Sequence, residues 1–367
     1  MILYQGLLSS PASWARVGRG YLGGLLAAGI DVAAVITRGF RYDPDFPLPS
    51  GLPIMAVSDT DQLPTPDIGL GFLHPPHLNR LLGKYKANLF VWESNVVPSE
   101  WVDRLARGTD LVIVPSSFSR QALIASGLSS DKIAVAAYGY AEHWEHESSL
   151  ACQERRAPFT FLTVAAPHWR KGIRELCQAY MAAFSASDNV RLRIKSTYDP
   201  ADSKRRFAFE IPSWDQLLQD CGLKQPSSPR IELIVETSTD AELESLYREA
   251  DVYVGASWGE SFGLAILDAM AMGIPAIVNG WGGQMDFVSN SGDIVDYDLQ
   301  TRDEGLYEPV EGALVAVPKI DSLAQRLRWH FDHPESSREM GQRGGRAVRS
   351  MSWDSATRQL LDCLPLG

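Results

Sequence analysis

Short apolar runs recur along the chain, four to eight residues each, and most are apolar at successive positions rather than at alternate ones. Residues 1–4 (MILY), DVAAVI (31–36), DIGLGF (67–72), NLFVW (88–92) and DLVIVP (110–115) have this form in the first part of the sequence. Runs apolar on both faces and separated by helical or loop segments predict buried parallel strands covered on both sides. ARVGRGYLGGLLAAG (15–29) is one such intervening helix, with Gly29 as its stop. HLNRLLGKYKANLF (77–90) has a leucine face and several cations and is expected as a surface helix. From about 143 to 158, HWEHESSLACQERRAP is polar and strandless and is expected to be a linker.

Beyond it the pattern restarts. FTFLTVAA, VRLRIKST, IELIVE, DVYVGAS and PAIVNG predict strands, interleaved with helices over IRELCQAYMAAFSA, DAELESLYREA and FGLAILDAMAMG. The tail SWDSATRQLLDCL (352–364) predicts one amphipathic helix. The fold class expected is α/β, with two Rossmann-like doubly wound domains facing each other across a cleft, over residues 1–145 and 155–349. DLVIVPSSFSRQAL (110–123) and DVYVGASWGESFGLAIL (251–267) echo each other as strand, serine, then a phenylalanine opening a helix. In such sheets ligands bind outside the carboxyl ends of the strands.

At 367 residues, the chain is long enough for two domains. Its composition, 45% hydrophobic and 22% charged, is that of a globular protein. A formal net charge of −11 argues against a nucleic-acid partner and leaves room for peripheral membrane contact at most. The opening MILYQGLLSS has no basic start and is not read as a secretion signal, and the apolar stretch 20–36 is too interrupted to span a membrane. Cys152, Cys177, Cys221 and Cys363 show neither paired nor metal-ligand spacing. A cytoplasmic location is the expectation.

The chemistry concentrates in ASWGESFGLAILDAMAMGIPAIV (256–278). A strand is expected to deliver SWGESFG to a sheet's carboxyl edge, where a helix begins among small residues. The free N–H groups and dipole of that helix start make an anion site. Glu260 would repel an anion and instead accepts hydrogen bonds from neutral hydroxyls, and Asp268 stands about a turn and a half into the helix. A diphosphate joining two sugar rings satisfies both acids, whereas an N-cap role for Glu260 and a solvent-facing Asp268 remain the plainer alternative.

Together with WGGQMDFV (281–288), FLTVAAPHWRKGIRELCQAY (161–180) and VPSSFSRQALIASGLSSDKIAVAAYG (114–139), this stretch resembles the group 1, family 4 retaining glycosyltransferases of GT-B fold. The family signature is glutamate, seven residues, glutamate. The resemblance implies that Glu260 holds hydroxyls of the donor sugar and that Asp268, where relatives carry glutamate, holds the ribose. It also places the amides of Ser261, Phe262, Gly263 and Leu264 near the diphosphate, and makes Lys171 the phosphate-binding lysine. Arg170 then stands in for an arginine absent at Ala165 and Ala166. The nucleotide base is expected near Lys195, Ser196, Thr197, Glu236 and Thr237. In the first half, Glu93 fills a position where relatives frequently carry a histidine facing the sugar. Gly6 is a donor-side candidate, Ser13 and Trp14 shape an acceptor pocket, and the helix at 350–367 packs back on the first domain.

The expected reaction is transfer of a sugar from a UDP- or GDP-linked donor to a glycan, lipid-linked or small-molecule acceptor, with retention and with no metal or other cofactor. An epimerase of the same fold, or a catalytically silent nucleotide-sugar-binding subunit, are the alternatives. The acidic triplets DPD (43–45), DTD (59–61) and DYD (296–298) are read as loop residues, Ser116 and Ser117 as a helix cap, and His74 and His77 as local packing.

Overall fold

A computed structural model describes residues 1–37, 42–55, 65–140, 157–202, 210–302 and 310–366. The chain divides into two compact units, Met1–Glu142 with Met351–Gly367, and His143–Ser350.

The first unit runs β1 (Ile2–Gly6), α1 (Ser13–Ala27), β2 (Val32–Ile36), β3 (Ile54–Met55), β4 (Ile68–Gly71), β5 (Tyr85–Leu89), α2 (Ser99–Gly108), β6 (Leu111–Val114), α3 (Ser117–Ala125) and β7 (Ile133–Val135). Its seven strands lie in the order β3-β2-β1-β4-β5-β6-β7, every pair parallel. The two strands on either side of β1 pair with it residue for residue, Leu3 opposite both Ala33 and Gly69. β1, β4 and β6 are buried throughout, which is why they read as unbroken apolar runs. At the end of α1, Gly29 turns left-handed at φ +71, and the amide of Ile30 donates to the Leu25 carbonyl at 3.0 Å, closing the helix.

The second unit repeats the theme with β8 (Phe159–Val164), α4 (Ile173–Ala183), β9 (Val190–Ser196), α5 (Trp214–Asp220), β10 (Arg230–Val235), α6 (Asp240–Arg248), β11 (Val252–Gly255), α7 (Leu264–Ala271), β12 (Ala276–Asn279), α8 (Met285–Val288) and β13 (Asp293–Val295). Strand order is β10-β9-β8-β11-β12-β13, again parallel. The antiparallel hairpin β14 (Tyr297–Thr301) and β15 (Leu314–Pro318) follows, then α9 (Ile320–Asp332) and α10 (Pro334–Val348). Phe161, Leu192, Ile194, Val254 and Ile277 form the sheet side of a core closed by Leu176, Tyr180, Leu323 and Leu327. A capping box, Thr239 with Glu242, starts α6 and is worth about 1 kcal/mol.

The last helix, α11 (Trp353–Asp362), belongs to the first unit, where it lies along α1. A side chain at Gly24 would stand 2.0 Å from the Thr357 hydroxyl, so only glycine permits this approach. Trp353 meets Tyr21 edge-on at 5.4 Å.

Three expectations need correction. Residues 77–90 do not form a helix: a 3-10 turn over Pro75–Arg80 leads through Gly83, at φ +153, into β5. A Cβ at Gly83 would lie 2.4 Å from the Gly69 amide, so the chain there is drawn against β4. That strand consequently begins three residues before the NLFVW run, and only its last three residues are buried. The echo between 110–123 and 251–267 is not one of equivalent places, because β11 borders β8 at its sheet's centre whereas β4 and β5 both lie between β6 and β1. Finally, Cys177 and Cys221 are near enough for one thiol to hydrogen-bond the other, although nothing in their spacing says so. Most of the expected linker, with Cys152, lies outside the described residues.

Candidate active site

β8 and β11 are adjacent and parallel, so the loops leaving their carboxyl ends start side by side. After β8 the chain passes through a 3-10 turn, Trp169–Lys171, capped by His168, whose Nδ1 accepts from the Arg170 amide at 3.0 Å. Gly172 then takes φ +64 with its α-carbon against the other loop, where a Cβ would fall 2.0 Å from the Ala256 carbonyl oxygen. Two further bonds join the loops. The Trp258 amide donates to the Arg170 carbonyl at 2.7 Å, and Arg170 Nη1 donates to the Gly259 carbonyl at 2.5 Å.

The result is an ion pair between residues 89 positions apart. Lys171 Nζ lies 2.5 Å from Glu260 Oε1, and Arg170 Nη1 lies 3.7 Å from Oε2. Lys171 and Glu260 keep 21% and 15% of their side-chain surfaces, whereas Arg170 keeps 4%. Burial pushes the Glu260 carboxyl upward, but the charges of Lys171 and Arg170 and hydrogen bonds from Lys171 and Ser257 outweigh it and hold the group at about 2. Glu260 is therefore a carboxylate at neutral pH. Arg170 is enclosed and committed to the loop carbonyl, so the cation at the surface of this cluster is Lys171.

Gly263, left-handed at φ 92 and ψ 50, sets the chain into α7 without a side-chain cap. First-turn amides of a helix lack the usual partner within it, and the stretch that holds Glu260 leads directly into this one. The WGG turn closes the other side. The Gly283 amide donates to the Glu260 carbonyl at 2.7 Å, and a Cβ on Gly282 would meet the Glu260 backbone at 2.9 Å. Beneath it, Asn279 Nδ2 donates to the carbonyls of Ser257 and Ala316, and Gln284 Nε2 to those of Asn279 and Trp281. Around the outside, Trp258 Nε1 donates to Glu175, and the Arg302 guanidinium lies over Trp169 at 3.8 Å and Trp258 at 5.3 Å.

The remaining sequence candidates divide by place. Ser261 and Phe262 are buried at 5% and 3%, Phe262 with its ring against Phe287. Asp268 is wholly enclosed in α7 rather than solvent-facing, and its charge reaches the buried Tyr253. Ser196 is buried, while Glu236 and Thr237 are exposed, all at the linked ends of β9 and β10, where buried Lys195 donates to the Ser196 and Glu236 carbonyls. Gly6 and Glu93 belong to the first unit, Glu93 buried at 6%. His168, Ser257, Asn279 and Gln284 were not foreseen. All four stood inside quoted stretches, but they act mostly through contacts to backbone groups, which sequence spacing does not carry.

Among the described residues, no group of three or more His, Cys, Asp or Glu is placed to hold a metal. Asp298 pairs with Lys319, Asp45 donates its amide to Asp43, and the triplet at 59–61 lies outside the described residues. Ser116 caps α3, accepting from the Ser119 amide.

This arrangement, paired cation and carboxylate at the mouth of a helix on a doubly wound sheet, coincides with a family match. Residues 158–331 fit the model of glycosyl transferases group 1. That match lies within the second unit and takes in just under half of the chain. The chain is also 34% identical over 130 residues to a D-inositol 3-phosphate glycosyltransferase of Salinispora tropica, a segment that makes up 34% of this chain and 22% of that protein. The alignment thus spans less than a quarter of that relative's length. Over nearly its whole length the fold is similar to Anabaena Alr3699/HepE in complex with UDP and glucose, at TM-score 0.70 and 14% identity over 98% of both chains. It is likewise similar to a sucrose-phosphate synthase from Thermosynechococcus elongatus, at TM-score 0.69 and 19% identity, covering 98% of this chain and 97% of that one. Both units are Rossmann-like parallel-sheet domains of the α/β GT-B class. No described helix is long and apolar enough to cross a membrane.

Proposed function

We propose that the chain is a group 1 glycosyltransferase that moves a sugar from a UDP- or GDP-linked donor to an acceptor hydroxyl with retention of configuration and without a metal. The observation that carries the reading is the Lys171–Glu260 pair at the mouth of α7. As the bond between the sugar's anomeric carbon and the diphosphate oxygen breaks, negative charge collects on the leaving phosphate. The Lys171 ammonium, one-fifth exposed, turns from Glu260 to that phosphate, joined by the backbone amides from Ser261 to Leu264 that lead into α7. Glu260, ionised and released from lysine, accepts hydrogen bonds from the sugar's hydroxyls.

The acceptor oxygen attacks on the face the diphosphate leaves, and its proton passes to the departing phosphate oxygen. No protein base is consumed in that step. Arg170 acts from behind by fixing the Gly259 carbonyl and the Glu260 charge. Asp268 serves the ribose only once its enclosure opens on binding. UDP is the first donor nucleotide to test, since a structural neighbour is recorded with UDP and glucose.

The test is release of nucleoside diphosphate from a panel of UDP- and GDP-sugars by the purified chain, with NMR assignment of the product's anomeric configuration. An α-linked product from an α-linked donor supports retention, and an inverted product contradicts it. Interconversion of donor epimers without transfer would place the chain among epimerases.

A further inference from the structure

Two tryptophans flank the ion pair along the chain, Trp169 just ahead of Arg170 and Lys171, and Trp258 just ahead of Gly259 and Glu260. Their rings lie against each other, with centroids 5.2 Å apart and planes at 59°. Each indole thus stands at the root of one of the two loops, which leave different strands, β8 and β11.

A third element reaches over both rings. Arg302 follows β14 directly, and its amide donates to the Ala313 carbonyl at 2.7 Å, which ties it to the hairpin. Its guanidinium covers Trp169 at 3.8 Å and stands 5.3 Å from the ring centre of Trp258. Among the described residues this half-buried cation forms no ion pair, so the indole faces are its main partners. A fourth element fixes Trp258 from α4. Its Nε1 donates at 3.2 Å to Glu175, in the first turn of that helix and only 9% exposed. Burial pushes the Glu175 carboxyl up, opposed by hydrogen bonds from its own amide and Trp258 and by the charges of Arg174 and Arg302. The Arg302 charge therefore reaches the carboxylate that holds Trp258.

When Lys171 leaves Glu260 for the departing phosphate, the direct tie between the two loops is released at the moment their spacing matters. Two bonds remain, from the Trp258 amide to the Arg170 carbonyl and from Arg170 to the Gly259 carbonyl. Both run between backbone at or beside the two indoles, so whatever holds the indoles holds these bonds.

We infer that Arg302 and Glu175 are positioning residues for the Lys171–Glu260 pair, clamping the indoles of Trp169 and Trp258 so that the two loops stay joined while Lys171 is on the phosphate. They act through the tryptophans rather than on substrate. That the joined loops serve transfer rests on the glycosyl-transfer reading; that these residues join them does not.

Two readouts on the full chain test this: kcat/KM for UDP- and GDP-sugars well below Tm, and hydrogen exchange of the Trp258 amide. Arg302→Met, which keeps an apolar stem and removes the cation, should lower kcat/KM about tenfold. It should also speed exchange of the Trp258 amide about tenfold, because that amide bonds across the joint. Arg302→Lys, which keeps a cation over the rings, should restore kcat/KM to within about threefold of wild type. Glu175→Leu should lower it about fivefold, whereas Glu175→Gln, still able to accept from Trp258 Nε1, should stay within about twofold. Wild-type kcat/KM in Arg302→Met and Glu175→Leu, even with a lowered Tm, would make the cluster mere packing and overturn the clamp. Unchanged exchange of the Trp258 amide in Arg302→Met overturns it equally. A wild type that turns over no donor would instead contradict the transfer reading, leaving the exchange rates to decide the clamp.

Discussion

Glu260 is a charged group kept ionised in a place that disfavours charge, and the cations that hold it give it both its contribution to stability and its usefulness. Its folded value of about 2 lies below the ordinary 4.5, so its contribution, on the order of 3 kcal/mol, is fully present above 4.5 and is lost as pH falls toward 2. Glu260→Gln should remove that slope: urea midpoints at about pH 6 and about pH 3 should differ less in the variant than in the wild type. An identical drop in both would show that Lys171 and Arg170 do not hold the carboxylate as described. Lys171→Ala should leave the fold intact, because the ammonium is partly solvated, and lower transfer by at least about a hundredfold through lost charge stabilisation. Asp268→Ala should behave differently, lowering Tm by about 4 °C or more, since the carboxylate is enclosed at 0% exposure. That Lys171 and Glu260 belong to one constellation was legible from the resemblance of the motifs around them, which stand in the family's order. The enclosure of Asp268 was not, since an acid in an apolar helix reads the same whether it faces water or the core.

Elements decide whether these residues meet. Gly172 lets the turn after β8 approach the loop after β11, and Gly172→Ala combines a positive φ with a carbonyl 2.0 Å away. It should cost at least about 2 kcal/mol, read as a fall in Tm, and should impair transfer with it. A Tm equal to wild type would mean that the loops do not need this close approach. The hairpin β14–β15 supports the same place from outside through Ala316, whose amide donates to the Trp258 carbonyl at 2.8 Å. Strands such as β6, β11 and β12 were legible from continuous apolar runs, because both faces are covered. β5 was not: its leading residues are only half-buried, and the leucine pair before it imitates a helical face. β3, two residues long, carries no periodicity to read.

At the scale of the molecule, each unit has its own sheet and its own helices, and the last helix returns to the first unit. Trp353→Ala should therefore destabilise that unit by about 2 kcal/mol, raising hydrogen exchange in α1 and around Tyr138, while the UDP-dependent protection of the second unit is retained. Equal loss of protection in both units would contradict the division. The two-unit plan was legible because the strand-and-helix pattern stops at a polar stretch and starts again. The strand orders were not, since order depends on which runs pair, and a sequence records only their succession. The central claim is that the mouth of α7 binds a nucleoside diphosphate sugar through Lys171 and Glu260. Isothermal titration of UDP-sugars and GDP-sugars into wild type, Lys171→Ala and Glu260→Gln tests it most directly. Saturable one-to-one binding of one donor to the wild type, weakened at least about tenfold in each variant, is the expected result. Wild-type binding retained undiminished in both variants, or no binding of any donor, would contradict it.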